Sequence, residues 1–134
     1  FLWYNWSRPI IGNDSIFTNS MYDQYFFNQP GSQRPFFDMS AIIQRTGMQN
    51  IGWIITGDTW EYPMWVLLRD IDNLHMEHIL VQNASAQWED SDFIPDGIIN
   101  KTIMPDSVDR IYYHGNAYQL IYANNPWMFL QRVK

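Results

Sequence analysis

Along the first 38 residues Phe, Tyr and Trp are scattered among Asn, Ser and Pro with no clean period. This predicts an extended lead-in anchored by its rings, with at most a short strand near Ser15 to Thr18. Beyond it the pattern sharpens. Asp38 or Ser40 can cap a short helix through Ala41, Ile42, Ile43 and Arg45, which Gly47 stops with a left-handed residue. Residues 50–56 are nearly all apolar, the mark of a strand buried on both faces. Gly57, Asp58 and Thr59 close that strand. Asp58 or Thr59 can then cap a helix to about Arg69, with Glu61 favouring its start and Pro63 tolerated in the first turn. His75 to Gln82 reads as a second strand, and the order strand, helix, strand implies a right-handed crossover and a parallel pair.

Ser85 to Asp92 is a polar turn or helical stretch. Pro95 to Ile99 reads as a third short buried strand, and residues 100–109 as a loop. Three β-prone runs follow, Arg110 to His114, Tyr118 to Ala123 and Trp127 to Val133. Turn signals at Gly115-Asn116 and at Asn124-Asn125-Pro126 separate them, so they form an antiparallel meander. The expected fold is therefore α/β. Residues 39–134 make one small three-layer-like domain whose short parallel sheet is extended by the C-terminal antiparallel meander, and residues 1–38 lead into it.

Composition sharpens this picture. The 134 residues suit one domain. With 46% apolar and 16% charged residues, intrinsic disorder is excluded. Aromatic residues reach 17%, more than one small core takes up, so some should line a groove, a partner interface or a membrane boundary. A net charge of -6 offers no positive field for a phosphate backbone, so nucleic acid is not an expected partner. The absence of cysteine removes disulfides, thiolate metal sites and a cysteine nucleophile.

No apolar run reaches the length of a spanning helix. The chain opens on Phe1-Leu2-Trp3-Tyr4-Asn5-Trp6 without an initiator Met, which reads as a fragment. Amphipathic rings favour the headgroup level of a bilayer, so Trp3, Tyr4 and Trp6, with Arg8 available for lipid phosphates, are membrane-proximal candidates. An ordinary aromatic strand or hydrophobic clamp is the alternative.

Candidate chemistry is sparse. His75-x-x-His78 invites a metal reading, but on a strand the odd spacing sends the two rings to opposite faces, as for edge or solvent histidines. Nucleotide-cradling and nucleophile-elbow motifs are absent, so no catalytic residue, metal or cofactor is expected. Asp58 with Glu61 could serve as paired carboxylates or simply start a helix; Glu89, Asp90 and Asp92 read as a solvated turn. Open α/β sheets bind ligands beyond the carboxyl ends of their parallel strands. That rule selects Asp58, Trp60 and Glu61 after the first strand, and Asn83 and Ser85 after the second. Trp60 could stack on a sugar face or fill the core. Sequons start at Asn5, Asn13, Asn83 and Asn100, and matter only in a eukaryotic secretory context.

Three stretches carry a resemblance. They are Asn5-Trp6-Ser7-Arg8-Pro9-Ile10 with Ser15-Ile16-Phe17 and Tyr25-Phe26-Phe27-Asn28; the run from Gly57-Asp58-Thr59-Trp60-Glu61-Tyr62-Pro63 to Arg69; and Pro95-Asp96-Gly97-Ile98-Ile99. Together they resemble the C-terminal region of bacterial polytopic membrane glycosyltransferases of the dolichyl-phosphate-mannose or arabinose-transferase type. The resemblance implies an extracytoplasmic, periplasmic or cell-surface, α/β domain anchored through preceding membrane helices. Those helices would be its partners, with a sugar or glycolipid acceptor as a further one. The parent would move a sugar from a polyprenyl-phosphate carrier using acidic residues outside this fragment, so no residue here inherits a catalytic role. An independent carbohydrate-binding module or small hydrolase, using the crevice at Asp58, Trp60, Glu61 and Asn83, is the alternative.

Overall fold

A computed structural model describes residues 20–54, 61–101 and 109–134. Trp3, Tyr4, Trp6, Arg8, the strand expected near Ser15 to Thr18, Asp58 and Trp60 lie outside the described residues.

The chain departs first from the extended lead-in. Residues Met21–Phe26 form α1, capped by Ser20, whose hydroxyl accepts the Asp23 N–H at 3.1 Å. Residues Pro30–Thr46 form α2. Pro30 opens α2, where a missing N–H costs nothing. Pro35 gives up one bond inside it, yet the helix continues because Phe36, Met39, Ser40 and Ile43 fall at helical spacing and are all buried. Asp38 and Ser40 are thus mid-helix residues rather than caps. Gly47 ends the helix as expected, at φ 69° with its N–H on the Ile43 carbonyl.

Among the described residues six strands form one mixed sheet in the order β2-β1-β3-β6-β5-β4. These are β1 (Asn50–Ile54), β2 (His75–His78), β3 (Gly97–Asn100), β4 (Arg110–Tyr113), β5 (Asn116–Asn124) and β6 (Trp127–Arg132). β1 lies between β2 and β3, parallel to both, while β3–β6, β6–β5 and β5–β4 pair antiparallel. The parallel core and its meander extension stand as read from the sequence. β1 and β2 are joined through α3 (Tyr62–Leu67), with Pro63 in its first turn. This helix is shorter than the stretch expected to reach Arg69, because the backbone leaves helical geometry at Leu68 and the Ile71 N–H closes a turn onto the Leu68 carbonyl.

The two faces of the sheet are covered differently. Ile51, Trp53, Met76, Ile99, Trp127 and Phe129 meet Phe26 of α1, Phe36, Met39 and Ile43 of α2, and Met64 of α3. At its centre the Phe36 and Trp127 rings touch edge to face, 4.7 Å between centroids. On the opposite face Ile98, Tyr113, Tyr118 and Leu130 pack with Ile79 and Phe93, which belong to the connection from β2 to β3. The two crossovers from the parallel core therefore run on opposite faces, as one handedness requires when the chain reverses direction across a sheet. Only the first crossover carries an α-helix among the described residues. The second contains a single 3₁₀ turn, Ala84–Trp88, so the expected three-layer arrangement is present only in part: this is a sheet-rich α/β fold with one helical layer.

Glycine allows that second crossover to lie flat. A Cβ on Gly52 of β1 would stand 2.8 Å from the Ile79 Cδ1 and 3.2 Å from the Pro95 Cγ. Asp96 then ties the crossover to the sheet. Its carboxylate accepts the Gln49 and Asn50 N–H groups at 3.2 and 3.1 Å and the Arg132 guanidinium at 2.9 Å.

Candidate functional site

β2 stops at His78, short of the run expected to reach Gln82. Ile79 still donates its N–H to the Trp53 carbonyl, but Leu80 turns to φ 55° and leaves the sheet. That left-handed residue, costing about 1–2 kcal/mol in a non-glycine, points two successive N–H groups at one carboxylate. Glu89 accepts from Leu80 at 2.8 Å and from Val81 at 3.2 Å. The Tyr113 hydroxyl of β4 donates to the same carboxylate at 3.0 Å. Burial alone would raise the pKa of Glu89, but the two backbone donors, the Tyr113 hydroxyl and the nearby His114 outweigh it and hold the acid below the usual carboxylate range. Burial and the bond to Glu89 push the Tyr113 hydroxyl upward, so it stays a donor.

Glu89 is a shared wall between two clefts. One, about 350 Å³, is lined by Met76, Glu77, His78, Asn83, Ser85 and Trp88, among others. The other, about 370 Å³, lies on the far side and includes Leu80, Ala86, Ser91, Tyr112, Tyr113 and His114. His114 is held at φ 46° beside Gly115 at φ 74°, the paired positive values of a tight hairpin turn between β4 and β5. Its ring stacks on Tyr113, 4.0 Å between centroids.

Of the residues selected from sequence, Asn83 and Ser85 do come together in the first cleft. Asn83 caps the 3₁₀ turn, with its Oδ1 accepting the Ser85 N–H at 2.8 Å. Glu61 precedes α3 and reaches the cleft indirectly, its carboxylate 2.5 Å from the Nε2 of His78. The two strand histidines part as their spacing predicts. His75 Nε2 meets Glu77 at 2.8 Å and its ring lies against Phe93, whereas His78 turns to Glu61. Among the described residues no three His, Asp or Glu side chains gather as metal ligands. Asn100, one of the sequon asparagines, is buried in β3, which closes it to modification in the folded chain.

Sequence reasoning missed Glu89, Trp88, Tyr112 and Tyr113. The donors that hold Glu89 lie 9, 8 and 24 residues away in the chain, a convergence no local pattern reports. Trp88 carried a signal, an isolated Trp in a polar turn, and it stands 81% exposed. Comparison of the chain with protein-family models, curated proteins and solved structures returns no match. No helix among the described residues is long and apolar enough to cross a membrane.

Proposed function

We propose that this chain is a non-catalytic extracytoplasmic domain of a membrane glycosyltransferase that uses polyprenyl-phosphate-linked sugar. It holds an acceptor or covers the active site formed by membrane helices of the parent. The observation that carries this reading is how the carboxylates beside the first cleft are engaged. Glu61 is paired with His78, Glu77 with His75, and Glu89 accepts three hydrogen bonds. Glycosidic acid–base work needs two carboxyl groups facing each other across a substrate. These three are spent on structure, while Asn83, Ser85 and His78 line a cleft suited to holding a polar molecule. The resemblance of the Gly57–Arg69 and Pro95–Ile99 stretches supplies the parent.

The test is activity of the isolated chain on lipid-linked sugars and on chromogenic glycosides. No turnover is expected. Turnover abolished by Asp58→Ala or Glu61→Ala would replace this reading with that of a small hydrolase. Coding sequence upstream of Phe1 checks the parent, since several hydrophobic spans are expected there.

A further inference from the structure

Resting on that reading, we infer that the two clefts flanking Glu89 form a binding site for a neutral saccharide, with Trp88 and Tyr112 as its stacking platforms.

Both rings are far more open than structural packing demands. Trp88 is 81% and Tyr112 69% exposed, and each lines one of the clefts that Glu89 divides. A large ring left in water beside hydrogen-bonding groups suits a ligand with an apolar face and polar edges. A pyranose or furanose ring has that character, with C–H groups on its face and hydroxyls around its rim.

The polar lining selects the charge of the ligand. Among the described residues no Lys or Arg lines either cleft, His78 is engaged by Glu61 and His114 stands by the Glu89 carboxylate, so phosphorylated or uronic sugars find no idle counter-charge there. Glu77 and Glu89 are already occupied, by His75 and by three donors, so an ammonium ligand finds no idle carboxylate. What remains is neutral and bidirectional. Asn83 spends its Oδ1 on the Ser85 N–H and keeps its amide N–H groups as donors; the hydroxyls of Ser85, Ser91 and Tyr112 both donate and accept.

The frame is built rather than incidental. Two of the three non-glycine residues with positive φ among the described residues, Leu80 and His114, line the same cleft. Backbone held in such conformations persists where surrounding contacts over-determine it, and it concentrates at binding sites. Here Glu89 holds Leu80, and the Asn116 side-chain amide, donating to the His114 carbonyl at 3.0 Å, holds the hairpin turn, fixing the two walls before any ligand arrives.

Native gel electrophoresis of the full chain through mannan, arabinogalactan or dextran tests the inference, with heparin as the anionic arm. At least one neutral polysaccharide should retard the chain. Trp88→Ala and Tyr112→Ala should each weaken that retardation about tenfold, the loss of roughly one stacking contact, whereas Trp88→Phe should keep most of it. Both side chains stand in solvent, and near-UV circular dichroism confirms that the variants fold. The inference is overturned by no retardation in any of the three, by retardation unchanged in both alanine variants, or by retardation with heparin alone. The turnover assay and the upstream sequence judge the parent reading separately, so either can fail without the other.

Discussion

Glu89 shows how much one side chain can organise. Its carboxylate joins the end of β2, the 3₁₀ turn and β4, and it stabilises the left-handed Leu80 that makes the two N–H groups converge. Glu89→Gln keeps the size and removes the charge, leaving one backbone donor facing an amide N–H. The expected cost is about 1–3 kcal/mol, read as a lower urea midpoint with an unchanged denaturant slope. The pH dependence has a definite sign. A carboxyl depressed below its ordinary value of 4.5 contributes stability that is present above that value and is lost as pH falls through its lower folded-state value. The gap between wild type and Glu89→Gln should therefore be full at pH 7 and shrink below about pH 4.5, measured by chemical denaturation across that range.

At the scale of elements, the strands were the most legible part of the sequence. The apolar runs at 50–56 and 95–99 had one reading, and Asn, Gly and Pro marked the ends of the meander. The last turns of α2 and their stop at Gly47 were legible, but α1 and the first half of α2 were not, because Pro30, Gly31 and Pro35 signal punctuation. The spacing of Phe36, Met39, Ser40 and Ile43 outweighs them once the sheet offers a surface to bury against. β2 was read too long because the force that turns Leu80 out of the sheet comes from Glu89, nine residues on. In the candidate cleft, Asn83 and Ser85 lie where the rule for parallel strand ends points, while Tyr112 could not be placed there because β4 comes from the other end of the sheet.

The fit between strands and their covers can be measured at two glycines. A Cβ on Gly97 would stand 2.7 Å from the Phe129 Cζ and 3.0 Å from the Met48 Sδ; one on Gly52 would meet the terminal Cδ1 of Ile79 at 2.8 Å and the Pro95 Cγ at 3.2 Å. The Phe129 ring is fully buried and cannot give way. Gly97→Ala should therefore cost about 1–3 kcal/mol through overpacking. Gly52→Ala should cost less, because the Ile79 tip can turn aside and the unfolded chain loses about 0.4–1 kcal/mol of freedom. The order of the two thermal midpoints, Gly97→Ala below Gly52→Ala, checks this.

At the scale of the whole molecule, the strand ladders of the parallel and antiparallel halves join, among the described residues, where β3 pairs with β6. Asp96 reinforces that seam at one end, binding the start of β1 through Gln49 and Asn50 and the end of β6 through Arg132. Asp96→Ala strands two backbone donors and a half-buried guanidinium. It should lower stability by about 2 kcal/mol or more, and amide exchange should speed up first at Gln49, Asn50 and the end of β6.

The position of β6 also sets the order in which the fold can be completed during biosynthesis. Of the six strands it leaves the ribosome last, yet it lies inside the sheet with β3 on one side and β5 on the other. Until it emerges, the three-stranded parallel half and the β4–β5 hairpin lack the strand that pairs with both. Throughout that interval β3, every residue of which is buried in the finished protein, presents a bare apolar edge to its surroundings. The edge closes only once β6, which starts at Trp127, has been made, so the sheet cannot be completed before the last strand is available.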